Sequence, residues 1–336
     1  MRTIFKDSIN LISVLNIRKI WNVILVYSTY YLSYLMGKVF TPPHPISISI
    51  EPTNNCNLKC SQCPSGNGAS QRKKGAIEPE LYEKILREVS GKLCYLNLYF
   101  QGEPMLVSSF FRMVNLAKTF SLYVSASTNG HFLSEKECNQ LIDSGLDRII
   151  ISLDGMSQES YAAYRIGGDL SFVLQGIETL IRIRKARGVN KPFIELQFLV
   201  FKHNEDEIPA ARRYAASVGA DKLSLKSAQF YDLQNDGKNL PEAEEYSRYK
   251  KLKDGTLTIK SKLHNHCFRM WSSLVIGWDG AVIPCCFDKN ADYQLGNLKK
   301  EPFLEVWKGS EYSYFRSKIL HDRKSIPMCC NCTEGL

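Results

Sequence analysis

Three cysteines open the chemistry of this chain. They stand in the run Cys56-Asn-Leu-Lys-Cys60-Ser-Gln-Cys63-Pro64, directly after the alternating segment Ile46-Ser-Ile48-Ser-Ile50. Thiols at C-x3-C-x2-C spacing can hold three irons of a cubane iron–sulfur cluster. A four-iron cluster wants four ligands, so three thiols leave one iron open. An open iron can bind a small molecule and pass it an electron, as catalytic metal sites keep a free position. The competing zinc reading needs four ligands in a closed tetrahedron, and no Cys or His follows Cys63 until Cys94, inside an apolar run.

A second set lies near the C-terminus. Cys267 and Cys285 flank Ser273-Leu-Val-Ile-Gly277-Trp-Asp-Gly280-Ala-Val-Ile-Pro284, where Asp279-Gly280 between apolar runs signals a hairpin. The hairpin brings the two thiols toward each other, and Cys329 and Cys332 add a C-x2-C pair. Four thiols complete a cubane site, although four thiolates also suit zinc. Cys286 and Cys330 adjoin two of these ligands and either could replace its neighbour. Cys94 and Cys138 fall inside regular elements and read as buried hydrophobes.

Composition agrees with metal rather than disulfides. The chain has 336 residues, 44% apolar and 23% charged, and eleven cysteines, an odd number that speaks against a complete disulfide framework. No secretory signal is evident, so the expected compartment is the reducing cytoplasm. The formal charge is +9. A three-thiolate cluster adds about −1 and a four-thiolate one about −2, which leaves a basic protein. That balance suits an acidic electron donor such as flavodoxin or ferredoxin. No basic–aromatic motif points to nucleic acid.

The elements that must position these thiols alternate. Candidate strands are 46–51, 93–100, 122–127, 148–153, 193–200 and 221–226, with amphipathic helices at 79–90, 108–119, 134–144, 171–187 and 205–218. Six βα repeats imply a parallel sheet with helices outside, and ligands collect at the carboxyl ends of such strands. The first cysteine run follows strand one at that end. Residues 1–45 stand apart. Ile20 to Gly37 carries no charged side chain, is rich in Tyr, and is flanked by Arg18, Lys19 and Lys38. It reads as a helix that packs on the barrel, joins a dimer contact, lies on a membrane surface through residues 17–40 or, at the border of the needed length, spans a bilayer. Residues 231–266 read as a connecting segment.

The first cysteine run resembles the signature of the radical S-adenosylmethionine (SAM) enzymes. So does Gly102-Glu103-Pro104 after the second strand, similar to that family's Gly-Gly-Glu-Pro with Gln101 replacing the first glycine. Thr128-Asn129-Gly130 and Ser152-Leu153-Asp154-Gly155 match stretches that surround SAM in the family, and Tyr164-Arg165 resembles its Tyr-Arg element. The resemblance implies an α/β fold, a partial (β/α)6 TIM-like barrel over 46–230. It implies SAM contacts at Gly102, Glu103, Pro104, Asn129, Ser152, Asp154 and Arg165, with Arg165 on the methionine carboxylate. Gln62 departs from the aromatic residue common before the third cysteine, which shifts adenine binding to other groups. Residues 267–336 resemble the SPASM domain. No cysteine lies between Cys286 and Cys329, as in the one-cluster "Twitch" variant, with Cys267, Cys285, Cys329 and Cys332 as ligands.

The chemistry so implied is reductive cleavage of SAM to a 5′-deoxyadenosyl radical that abstracts hydrogen from a substrate C–H bond. A fully ligated second cluster points to electron transfer and a net oxidation. A sugar- or cyclitol-like small molecule is the expected substrate. A ribosomally made peptide is the alternative, and a non-enzymatic electron-transfer or scaffold protein is a second alternative.

Overall fold

The computed structural model describes residues 2–231 and 233–333. The strands are β1 Ser47–Ile50, β2 Tyr95–Asn97, β3 Tyr123–Thr128, β4 Arg148–Ser152, β5 Phe193–Val200, β6 Lys222–Ser227, β7 Tyr249–Lys251, β8 Leu257–Ile259, β9 Ser273–Ile276, β10 Ala281–Ile283 and β11 Gly296–Asn297. Each of the first six falls inside or within a residue of the segment expected from alternation. Helices occupy the intervals between them, as βα alternation requires. Pro79 starts the helix Pro79–Val89, where its missing N–H costs nothing. The expected helix at 205–218 is a 3-10 turn at Glu205–Glu207 followed by an α-helix at Ile208–Val218, with Pro209 in its first turn.

Two compact units make up the chain. The first comprises residues 1–8, 56–70 and 126–261; the second comprises 9–55, 71–125 and 262–336. In the first, β4, β5 and β6 run parallel, with Ile150 beside Glu195 and Leu196 beside Leu223. The expected connecting segment contributes the antiparallel pair β7 and β8. In the second, β1 lies between β2 and β9 and is parallel to both. The β9–β10 hairpin is the one that Asp279-Gly280 signalled, and β11 pairs antiparallel beyond it. Its junction with β1 was not visible in the sequence, since a parallel pairing between residues 47 and 273 leaves no local trace. The C-terminal region is also more regular than its composition suggests, with a helix at Ser310–Asp322.

The helix Ile17–Met36 is inverted. Its buried face carries Lys19, Asn22, Val26, Tyr30 and Ser33, spaced by three and four residues. These polar groups meet backbone carbonyls of the same unit. The Lys19 ammonium donates to Val14 O at 3.1 Å and Ser121 O at 2.6 Å. Asn22 donates to His44 O and Pro45 O at 3.3 Å and to Lys92 O at 3.4 Å. Ile17, Ile20, Trp21, Ile24, Leu35 and Met36 are exposed instead. Among the described residues no helix is long and apolar enough to cross a membrane.

Arg316 anchors the C-terminal helices. Fully buried, its guanidinium sits 4.3 Å from the Trp307 ring centroid and 4.1 Å from that of Tyr312, and donates to Met270 O and Trp307 O at 3.0 Å. Arg316→Ala removes the stacking and strips two buried carbonyls of donors. It is expected to cost about 3 kcal/mol, read as a lowered melting midpoint. An unchanged midpoint would show that the guanidinium contributes nothing net.

Candidate functional site: two thiol sets beside buried arginines

In the first unit the loop after β1 holds the N-terminal thiols. Cys60 is buried, and Cys56 and Cys63 are half-buried. They pack with Leu58, Tyr164, Phe201, Phe230 and Tyr249, an apolar surround that keeps water from the sulfurs. Burial pushes the Cys60 thiol up to about 11, and the main opposing influence is Arg165, whose Nη1 lies 3.7 Å from its sulfur. Asn129, at the end of β3, donates to Asn57 Oδ1 at 2.7 Å and reaches Cys56 Sγ at 3.9 Å. Its Oδ1 accepts the His131 N–H at 3.1 Å. Asn129 therefore belongs to the cysteine loop as well as to its own strand.

Half-buried Arg165 pairs with buried Asp154. The guanidinium Nε and Nη2 lie 2.6 and 2.5 Å from Asp154 Oδ2. Asp154 Oδ1 accepts the Leu199 N–H at 2.7 Å, and Asn204 donates to the Asp154 carbonyl at 2.9 Å. These two residues, each expected beside the cofactor, pair with one another, and the carboxylate holds the arginine beside Cys60. Ser152 is buried at the end of β4, beside Gln197 of β5. Gln62, which stands where an aromatic residue was expected, donates to Asp236 at 3.0 Å.

In the second unit the segment just before Cys56 is strapped down. Glu51 takes both Arg72 nitrogens, at 2.9 and 2.5 Å, and accepts the Trp278 N–H at 3.2 Å. Asn54 donates to Lys73 O at 2.7 Å and accepts from the Gly75 N–H at 2.9 Å. A side chain at Gly75 would collide with the Trp278 ring, 2.4 Å away. Gly102 crosses this segment in a left-handed conformation (φ 72°), where a Cβ would lie 2.5 Å from Thr53 O and 2.6 Å from Asn55 O. The Glu103 N–H donates to Asn55 O at 2.8 Å, and its carboxylate accepts from the Met105 N–H at 3.1 Å, with buried Pro104 opening the turn. The Gly102-Glu103-Pro104 turn thus clasps the residues that lead into Cys56.

The second thiol set lies wholly in this unit. Cys267, Cys329 and Cys332 are buried and Cys285 is half-buried. The four are electrostatic neighbours: Cys267 acts on Cys285 and Cys329, and Cys332 on Cys267 and Cys329. Burial raises Cys329 to about 12 and raises Cys267, and in both the largest opposing influence is Arg323. The hydrogen bond with Cys286, then burial, raises Cys285. Cys330 is exposed and its thiol donates to Lys324 O at 3.1 Å, away from the set. Among the described residues no three His, Cys, Asp or Glu side chains converge tightly enough for a single metal ion. The sets number three and four thiols, the counts that an open and a closed cubane need. Arg323, Arg72 and Glu51 were missed in the sequence. Arg323 stands in the run Asp322-Arg323-Lys324, which reads as solvated, and only its burial identifies it.

Comparison with known proteins places this geometry. The radical SAM superfamily model matches residues 50–215, and the SPASM iron–sulfur cluster-binding domain model matches 267–333. The chain belongs to the radical SAM superfamily and carries a C-terminal SPASM domain. It is 26% identical over 312 residues to a tungsten-containing aldehyde ferredoxin oxidoreductase cofactor-modifying protein of Pyrococcus furiosus, covering 84% of this chain and 86% of that one. It is 24% identical over 313 residues to an S-adenosyl-L-methionine-dependent 2-deoxy-scyllo-inosamine dehydrogenase of Niallia circulans, covering 89% and 95%. The crystal structure of Streptococcus suis SuiB bound to S-adenosylmethionine superposes with a TM-score of 0.63 at 16% identity, over 88% of this chain and 74% of that one. The protein is an enzyme of the radical SAM type, α/β in fold, that uses [4Fe–4S] clusters and SAM.

Thiols must lose protons to bind iron, and the two arginines favour that loss. Arg323→Met is expected to lower iron in the anaerobically reconstituted protein from about eight to about four atoms per chain, leaving the SAM-dependent cluster. Retention of all the iron, measured with acid-labile sulfide, would falsify a charge-compensating role for Arg323.

Proposed function

We propose that the protein oxidises a sugar- or cyclitol-like small molecule by radical SAM chemistry. When bound, the N-terminal cluster and SAM supply a 5′-deoxyadenosyl radical, and the second cluster supplies an acceptor for the electron lost by the substrate. The observation that carries the reading is the two thiol sets, of three and four, each with an arginine beside it. In this reading Cys56, Cys60 and Cys63 ligate the first cluster, and Cys267, Cys285, Cys329 and Cys332 the second. Gly102, Glu103, Pro104, Asn129, Ser152, Asp154 and Arg165 form the surround of SAM. Residues 46–230 act as the catalytic core, 231–266 as a connector and 267–336 as the auxiliary domain, with 1–45 as a helical extension. Likeness to the inosamine dehydrogenase over most of both chains supports a cyclitol-like substrate, and likeness to peptide cyclases keeps a peptide as the second reading. A flavodoxin- or ferredoxin-like donor fits the net charge of +9.

Anaerobic protein with dithionite and SAM is expected to release 5′-deoxyadenosine, and Cys60→Ala to abolish that release. Cys329→Ala is expected to keep uncoupled SAM cleavage while losing oxidised product. Loss of both activities in Cys329→Ala would remove the electron-acceptor role.

We also propose that the protein works in the cytoplasm and docks on anionic lipid through the outward face of the helix Ile17–Met36. That face carries Trp21, Tyr27, Tyr31 and Tyr34 among exposed Ile and Leu, with exposed Arg18 and Lys38 at its ends and no acidic residue between Asp7 and Glu51. Apolar and aromatic side chains enter the interface while basic ends meet headgroups. The protein is expected to sediment with phosphatidylglycerol-containing vesicles and to stay in solution with Trp21→Ser/Leu35→Ser. Equal sedimentation of both proteins, or a dimer held by this face in vesicle-free solution, rejects the lipid assignment.

A further inference from the structure

In the second unit, one face of adjoining strands sets polar residues among Tyr95, Tyr123 and Val275. The register sets Ser47 of β1 beside Ser273 of β9, Ser49 of β1 beside Asn97 of β2, and Asn97 beside Ser125 of β3. Ser125 is wholly buried and its hydroxyl has no hydrogen-bond partner in the protein. Natural interiors seldom leave such a group unmet.

A cavity of about 250 Å³ is lined by Ser47, Ser49, Asn97 and Tyr99 and carries two cations, Arg269 and Lys289. Among the described residues that line it, none is Asp or Glu. The Lys289 ammonium stands 4.8 Å from the Phe100 ring centroid, and Arg269 Nη1 donates to Cys286 Sγ at 3.9 Å. The space is not that of the second cluster. Cys285 and Cys286 edge it, but Cys267, Cys329 and Cys332 do not line it. Its volume falls below the roughly 300–1,000 Å³ of drug-sized ligand sites, which suits a small metabolite.

We propose that this cavity binds the substrate, and that the substrate is a small polyhydroxylated molecule bearing a carboxylate or phosphate. Arg269 and Lys289 take the anionic group, the guanidinium through its two-pronged fork and the ammonium as a point charge. Ser47, Ser49, Asn97 and Tyr99 take hydroxyls. The proposal rests on the oxidative reading above and narrows it to anionic polyols. It also gives Cys286 a place: the thiol next to Cys285 faces Arg269 at the edge of this cavity.

The test is calorimetric titration of reconstituted protein, under anaerobic conditions and without SAM, with gluconate, glucose 6-phosphate and neutral myo-inositol. At least one anion is expected to bind, with myo-inositol at least about tenfold weaker. Arg269→Met and Lys289→Met are each expected to weaken the anion by about tenfold or more, and Lys289→Arg to recover part of the loss. Lys299→Met removes the same charge from an exposed pair with Glu78 and is expected to change nothing. Iron content and visible absorption of each variant report that it is folded and loaded. Binding of neither anion, equal binding of myo-inositol, or binding indifferent to both cavity substitutions overturns the proposal. Formation of 5′-deoxyadenosine by the unaltered protein is measured separately. Its absence would sink the oxidative reading while leaving the anion titration to stand or fall alone.

Discussion

Sulfur that must carry charge inside a protein needs a cation near it, and this requirement organises both halves of the molecule. A thiol excluded from water holds its proton, as Cys60 and Cys329 do. Iron binds the thiolate, so each site must make proton loss affordable without opening to solvent. The chain answers twice in the same way. Arg165 stands at Cys60 and Arg323 beside Cys267 and Cys329. A guanidinium drawn out of water also needs support, and half-buried Arg165 draws it from Asp154, which is fixed in turn by Leu199 and Asn204. The fold of the first unit around β4 and β5 can be read as the frame for that relay.

The second recurring device is backbone clasping. The segment 51–55 is gripped by Arg72, Lys73 and Gly75 on one side and by the turn at Gly102 on another. These contacts fix the chain just before Cys56. Rigid approach matters because orientation is most of what the protein supplies when a cofactor carries the chemistry.

Much of this was legible in the sequence, for a physical reason. Thiols that share one loop lie close in the chain, so the grouping of Cys56, Cys60 and Cys63 is visible at once. Tight turns need particular residues, so Gly102 and Asp279-Gly280 do too. Strands read well because burial alternates or saturates, and β5 covers the expected segment 193–200 from end to end. What stayed hidden depends on partners far along the chain. Arg323 looks like part of a solvated basic run, and nothing near Glu51 names Arg72. The junction of β9 with β1 joins residues more than two hundred positions apart. Tyr-Arg and Ser-Leu-Asp-Gly were recognised as motifs, but not as two ends of a single ion pair.

The inverted helix has its own implication. Its lysine and asparagine are fasteners: they occupy carbonyls of Ser121 and Lys92 that would otherwise sit dry and unmatched, while its serine shares the Phe40 carbonyl with the Trp271 N–H. Shortening the protein to make it more tractable would therefore not simply trim a greasy flap. It would uncover a row of hungry backbone oxygens on the catalytic body. The sticky exterior and the sound interior are two sides of one element, and natural selection cannot discard the first without repairing the second.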